Sequence, residues 1–298
     1  MTKTSNSSAK PKVACEIAAD RVIAARVADT GSMLDACVSH ELSPGSVVPD
    51  LVEANLHERN SVFQALRNTL GSVSGRSRDV IAVLPDAAVR VVLLDFETLP
   101  GSREEAEAVV RFRLKKSLPF DIDKAKVSYQ SQTSTTGLRV IAAVALNTIV
   151  DDYESAFREA GYTPGVVIPS MLAALGVAQS TGPSLVVKVD TRTTSIAIMD
   201  KQQLLLFRTL ENARGVTITG EQLAEEIYPS VVFFQDTYHM NIDRIFVAGV
   251  SDLANAAPAL RAQTGAEVEE LVGSSQLGGN IVSVPKWRTA GVLGALLS

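Results

Sequence analysis

The sequence predicts a mixed α/β fold in two halves built on one plan, with a small module inserted into the first half. Three observations carry this. One strand pattern occurs twice, as VACEIAADRVIAARV with MLDACVSHEL at residues 13–42 and as LVVKVDTRTTSIAIM with QQLLLFRTL at 185–210. In each copy an apolar run bears one acidic residue near its end, turns tightly, returns as a second apolar run and turns into a third. Helical spacing separates the strands that follow, as it must when parallel strands are joined by crossovers. Finally, residues 87–147 read as strand, helix, strand, strand and match neither copy.

The elements can be justified in order. After the first three strands, Val62, Phe63, Leu66 and Leu70 recur at helical spacing, and Gly71 with the Ser/Gly stretch behind it predicts the helix end. Asp79 to Leu84 is an apolar strand closed by Pro85. Ala88 to Phe96 reads as a strand and Arg103 to Ser117 as a helix, with Ser102 and Glu105 as a capping-box pair and an Ala106, Val110, Leu114, Leu118 stripe. Glu104, Glu105 and Glu107 open this helix and Arg111, Arg113, Lys115 and Lys116 close it, complementing its dipole. The basic cluster is read first as helix stabilisation with a solvated face. Lys126 to Thr133 and Leu138 to Leu146 complete the module. A helix from Asp152 to Ala160 stops at Gly161, a strand follows at Val166 to Ile168, and a further helix begins after Ser170. Thr181-Gly182-Pro183 is the expected hinge. The second half adds a long helix carrying Leu223, Ile227, Val231, Phe234 and Tyr238, which Pro229 should kink unless two helices meet there. A strand at Arg244 to Ala248, a helix through Leu260, a strand near Ala266 to Leu271 and a closing apolar helix at Ala290 to Leu297 end the chain.

Composition bounds the function. A chain of 298 residues with 46% hydrophobic content buries a substantial core. The net charge of -5 argues against a general nucleic-acid binder and against attachment to anionic lipid by overall field. The N-terminal MTKTSNSSAKPK has no apolar segment and reads as a disordered tail, neither signal nor anchor. With VIAAVAL far short of a bilayer span, no direct membrane insertion is expected. Cys15 and Cys37 sit in apolar strands and are expected as buried reduced thiols, which fits a cytosolic compartment. His40, His57 and His239 are isolated, and no metal site is expected. Nucleophile-elbow, P-loop and Rossmann motifs are absent from the sequence.

A duplicated fold of this plan, the actin-like or duplicated ribonuclease H-like fold, holds a nucleotide between its halves. A hairpin from each meander meets the phosphates, and an acidic residue ends the first strand of each half. Here the acidic positions are Glu16 and Asp190, and the hairpins read Ala18-Ala19-Asp20-Arg21 and Thr191-Arg192-Thr193-Thr194, without glycine. Glycine lets backbone N–H groups approach phosphate closely, so its loss blocks a ligand, and a φ > 0 requirement would add about 1 kcal/mol of strain. Positions of a degenerate ATP site are therefore Glu16, Ala18, Asp190, Thr193, Thr194, Gly220 before the long helix and Gly249 after a strand. The alternative is that Glu16, Asp20, Arg21, Asp190 and Arg192 are turn residues or an ion-pair set across the cleft.

These segments resemble a known family. RFRLKKSLPFDIDKAKVSYQ at residues 111–130 and VIAAVALNTIVDDYESAFREAGYTPGVVIPS at 140–170 resemble segments of the PilM family of type IV pilus assembly proteins. LLLFRTL, GEQLAEEI and TAGVLGALL are similar in placement to its second-half signatures. The resemblance is loose in identity and colinear from Val13 onward. It implies an actin-like fold whose inserted module replaces an actin subdomain, as in the related cell-division protein FtsA. It also implies a cytoplasmic scaffold, peripheral at the inner membrane through partners, on the platform of a pilus or related secretion machine. The partner implied is the short cytoplasmic N-terminal peptide of a single-span membrane protein, PilN-like, with Leu118, Pro119 and Phe120 at the module edge as candidate contacts. The family's D-x-G at both hairpins becomes Glu16-Ile17-Ala18 and Asp190-Thr191-Arg192 here. The expectation is a scaffold, more a binding protein than an enzyme, with weak or lost ATP binding. The alternative is an assembly protein that binds and hydrolyses Mg-ATP; the cytoplasmic half of a type II secretion platform protein ranks below both. The expected division is a tail at 1–12, a first domain at 13–86, the module at 87–147, a return and hinge at 148–182, and a second domain at 183–298.

Overall fold

The computed structural model describes residues 10–29, 31, 33–134, 137–212, 217–278, 281 and 284–297, so most of the expected tail and the tip of the module hairpin lie outside the described residues. Two five-stranded sheets share one topology. The first runs β3-β2-β1-β4-β8, from β1 (Val13–Ile17), β2 (Arg21–Val27), β3 (Leu34–Glu41), β4 (Asp79–Leu84) and β8 (Thr163–Pro169). The second runs β11-β10-β9-β12-β13, from β9 (Ser184–Val189), β10 (Thr193–Asp200), β11 (Gln203–Glu211), β12 (Arg244–Ala248) and β13 (Glu267–Glu270). In each sheet the meander pairs antiparallel, and its first strand pairs parallel with the strand after the crossover. The repeated sequence pattern is thus a repeated topology, the actin-like two-domain α/β fold.

The period of two along β9 shows how the core divides. Leu185, Val187 and Val189 face outward under α5 (Gly220–Tyr238) and α6 (Leu253–Thr264). Val186 faces inward and shares a cluster with Ala14, Ile23, Ile81 and Val83 of the first sheet. Between the inward faces lie α4 (Ser170–Ala174) and α7 (Ala290–Leu297). A Cβ on Gly294 would fall 2.0 Å from the Ala173 carbonyl oxygen, so only glycine lets the two helices pack this closely. The outer face of the first sheet is covered by α1 (Arg59–Val73) and α3 (Asn147–Glu159), around the fully buried Leu66, Tyr153 and Phe157. Although α7 follows the second sheet in sequence, it packs on β1, β2 and α4.

The inserted module is a three-stranded antiparallel sheet ordered β5-β7-β6, from β5 (Arg90–Phe96), β6 (Ala125–Ser134) and β7 (Gly137–Leu146). On one face α2 (Arg103–Leu114) seats Val110 and Leu114 against Val140, Ala142 and Val144. Ser102 caps it by accepting from the Glu105 amide, without the reciprocal bond of a capping box.

Several boundaries differ from the sequence reading. The α1 helix runs through Gly71 to Val73, because Val73 continues its buried stripe and Gly71 faces open space. About one turn earlier than expected, α2 stops at Leu114, and the chain leaves it through a turn in which the Ser117 amide donates to the Leu114 carbonyl at 2.8 Å. The β5 strand starts at Arg90, after a 3₁₀ turn at Asp86–Ala88. Leaving β7 directly, α3 buries Ile149 and Val150 ahead of the expected start. Pro229 sits inside one continuous helix: the Thr219–Gln222 capping box fixes its start, and the proline ring points outward. No helix among the described residues is long and apolar enough to cross a membrane.

Candidate functional site

The two acidic positions read from the meanders meet between the sheets. Glu16 near the end of β1 is fully buried, and Asp190 just after β9 is nearly so. Two further groups join them that the sequence reading passed over. Lys188 lies two residues before Asp190, on the same face of β9. Asp86 opens the 3₁₀ turn after β4. The Lys188 ammonium sits 3.2 Å from Asp190 Oδ2, 3.6 Å from Asp86 Oδ2 and 3.7 Å from Glu16 Oε1. One cation thus lies among three carboxylates, two from the first half and one from the second.

Hydrogen bonds complete the cluster. Ser170 Oγ donates to Glu16 Oε1 at 2.6 Å. Asp86 accepts from the Met171 amide at 2.7 Å and, across the cleft, from Ser195 Oγ at 2.9 Å. The Thr191 amide donates to Asp190 Oδ1 at 2.8 Å. Arg21 adds a second buried cation, 2.7 Å from Asp20 Oδ1 and 3.6 Å from Asp190 Oδ1. Glu16 Oε2 has no hydrogen-bond partner among the described residues and lies where a Cβ on Gly291 would come within 2.6 Å.

The electrostatics follow from this crowding. Burial pushes the carboxyls of Glu16 and Asp86 above the usual range, and the Lys188 ammonium only partly opposes it. Burial acts the same way on Asp190, but Lys188 and Arg21 together outweigh it and hold that carboxyl down to about 2. Burial would lower the Lys188 ammonium, yet its three carboxylates keep it above the ordinary lysine value, so it stays charged. Of the two readings of these residues, the ion-pair set across the cleft describes Glu16, Asp20, Arg21 and Asp190; Arg192 is exposed and stands outside it.

The hairpins themselves are ordinary. Ala18 donates to the Arg21 carbonyl at 2.8 Å, and the Asp190 amide donates to the Thr193 carbonyl at 2.8 Å. Ala18, Ala19, Thr191 and Arg192 are not among the residues with positive φ, so the expected strain from missing glycines is absent. Thr193 and Thr194 are buried beside the cluster. Gly220 and Gly249 have structural duties. A Cβ on Gly220 would come within 2.6 Å of the Ala256 backbone, where α5 meets α6. Gly249 has φ +82°, and a Cβ there would fall 1.7 Å from the Val189 carbonyl oxygen.

Beside the cluster opens a groove of about 920 Å³, walled by loops of the first half and by strands of the module sheet and the second sheet. The first half contributes Pro49 to Val52, the module Val89 to Val91 with Pro119, and the second half Thr191 to Thr193 with Phe207 to Asn212. Of the three module-edge candidates, Pro119 lines this groove, whereas Leu118 and Phe120 pack against the module core. Both β5 and β11 are edge strands of their sheets. At its start the β11 edge is capped by the module: the Gln132 side-chain amide donates to the Leu204 carbonyl at 2.7 Å and accepts from the Leu204 amide at 3.1 Å. Arg139 Nη1 and Tyr238 OH both donate to the Leu205 carbonyl, at 3.4 and 3.2 Å. The remainder of β11 faces the groove. Such a site suits an extended peptide, which can add main-chain bonds to a strand edge and set apolar side chains between the walls.

No protein-family model and no curated protein matches this sequence. Solved structures do. A PilM–PilN type IV pilus biogenesis complex matches at TM-score 0.76 and 20% identity, over 96% of this chain and 97% of the other. A Bacteroides thetaiotaomicron protein with an actin-like ATPase fold matches at TM-score 0.55 and 11% identity, over 96% and 94%. The cytoplasmic domain of EpsL, an inner-membrane component of the type II secretion system of Vibrio cholerae, matches at TM-score 0.52 and 9% identity, over 96% and 92%. At these identities the likeness is one of fold, and that fold is the actin-like one.

Proposed function

We propose that this chain is a cytoplasmic scaffold of the inner-membrane platform of a type IV pilus or related secretion system. In this reading it takes the short N-terminal peptide of a single-span, PilN-like membrane protein into the groove between the module and the two halves, and it binds ATP weakly or not at all. The observation that carries the reading is end-to-end similarity to a PilM–PilN complex, inserted module included, in a chain whose groove is walled by two strand edges. Pro119 is the module-edge residue placed to touch such a peptide; Phe207 and Val91 supply apolar walls.

The cleft supports the nucleotide part of the proposal. A magnesium nucleotide needs carboxylates free to order the metal's waters and hairpin amides open to phosphate. Here the carboxylates already hold an ammonium, and the hairpins carry Ala, Asp, Thr and Arg side chains. The residues present do not fit the group. Glu16, Ala18, Asp190, Thr193, Thr194, Gly220 and Gly249 are accordingly proposed as remnants of an ATP site, with no catalytic step assigned to them.

Two titrations test the proposal. In calorimetry and thermal melts with excess Mg-ATP, no heat and no rise in Tm are expected, since a ligand of the folded state must stabilise it. A clear shift would favour the alternative of an ATP-binding assembly protein. In the second, a synthetic peptide from the cytoplasmic N-terminus of a gene-neighbour single-span protein should bind, and Phe207→Asp should weaken it at least about tenfold, the effect of losing one well-packed anchor. Equal binding by wild type and variant would remove the groove as the site.

A further inference from the structure

We infer that Lys188 is the resident cation of the cleft: a tethered ammonium that pins the two halves together and makes the closed arrangement independent of any ligand. The argument starts from what the carboxylates would do without it. Glu16 and Asp86 come from the first sheet and the turn behind it, Asp190 from the second, and all three are withdrawn from solvent. With no ammonium between them, Glu16 and Asp86 would have to take up protons or repel Asp190, and in either case the attraction tying them to the second half would be lost. The ammonium lies 3.2–3.7 Å from one oxygen of each and has a side chain only 5% exposed. Among the described residues no second cation reaches all three; Arg21 pairs with Asp20 and Asp190.

The position is determined by the strand. Lysine is rare in the centre of a buried sheet, because its charge must be compensated there. On β9 the side chains of Val186, Lys188 and Asp190 share the face that looks into the cleft. Val186 joins the apolar core between the sheets, and Lys188 begins the polar cluster at its edge. From β10, beside β9, the Ser195 hydroxyl donates to Asp86 and adds a hydrogen bond between the halves. The pin and the groove share Asp86 and the Thr191–Thr193 hairpin, so closure of the cleft and shape of the groove are mechanically one. The pin itself does not depend on what the groove binds.

The test removes the ammonium alone and then together with two of its carboxylates. Lys188→Met leaves Glu16 and Asp86 without their ammonium and Asp190 with Arg21 alone, and should lower Tm by about 10 °C or more, from the typical cost of breaking a buried pair in a chain of this size. Adding Glu16→Gln and Asp86→Asn to Lys188→Met keeps side-chain shape while removing two of the carboxylate charges, and should recover most of that loss. Hydrogen exchange should show faster opening of the 190–193 hairpin in the single variant and near wild-type protection in the triple. Additive losses, with the triple less stable than the single, would overturn the pin, as would a single variant as stable as wild type. If Lys188→Met does not fold, the triple alone decides: a folded, protected triple supports the inference and an unfolded one refutes it. None of these readouts uses nucleotide or peptide, so failure here and failure of the scaffold reading are separable.

Discussion

Gly249 illustrates how a residue's meaning depends on its surroundings. In the sequence it is one glycine after a strand, equally a nucleotide contact or a turn. In the structure its φ of +82° and the 1.7 Å approach that a Cβ would make to the Val189 carbonyl oxygen show a backbone crossing that admits nothing larger. Gly249→Ala should cost more than about 3 kcal/mol, from left-handed backbone plus a backbone clash. Gly71→Ala, in open space on α1, should instead stabilise by about 0.5–1 kcal/mol; paired urea melts check both signs. Asp190 shows the same dependence for charge. Its carboxyl is held down to about 2, so its contribution is complete above the unfolded value near 4 and is lost as pH falls through 2. Glu16 and Asp86 act in the opposite direction, since raised carboxyls take up protons more readily in the folded state. The stability gap between wild type and Asp190→Asn should therefore be widest near neutral pH and narrow steeply between pH 4 and 2. A gap unchanged over that window would mean that Asp190 is not held by Lys188 and Arg21.

At the scale of elements, the module's attachment is the feature that sequence patterning leaves open. Alternation in β6 and β7 marks which residues face α2, but not what the opposite face meets. That face meets the edge of β11 and the end of α5: Gln132 mimics a paired strand at Leu204, and Arg139 joins Asp95, Tyr238 and the Leu205 carbonyl. A neutral side-chain bond is worth about 1 kcal/mol, or roughly a fivefold change in local opening. Gln132→Ala should accordingly speed exchange of the Leu204 amide about fivefold while leaving β13 amides unchanged, as read by site-resolved hydrogen exchange. Unaltered protection at Leu204 would mean that the capping contact adds nothing. Helix ends show the complementary limit. The α1 helix passes Gly71 because Val73 still has a hydrophobic surface to cover, and α5 passes Pro229 because capping at Thr219 and burial of Ile227, Val231 and Phe234 outweigh one lost backbone bond.

Over the whole molecule, what the sequence by itself determined is the plan: two copies of a meander, the crossovers, the inserted strand-helix-strand-strand module, and the acidic residue ending the first strand of each half. These are legible because period-two and helical hydrophobic patterns are local and because duplication repeats them. The absence of hairpin glycines was legible too, and so was a cross-cleft ion-pair set as one reading of the polar residues. Only the tertiary structure decided how these residues pair and pack. It brought Lys188 and Asp86 to Glu16 and Asp190, seated α7 on the first sheet, relieved the glycine-free hairpins of strain, turned Pro119 into the groove and Leu118 and Phe120 into the module core, and opened that groove between two strand edges. The reason is physical. A lysine inside an apolar strand shows in sequence only as a charge that must be compensated; two of the carboxylates that compensate it, Asp86 and Glu16, lie 102 and 172 residues away, and that distance closes only when the two sheets pack face to face.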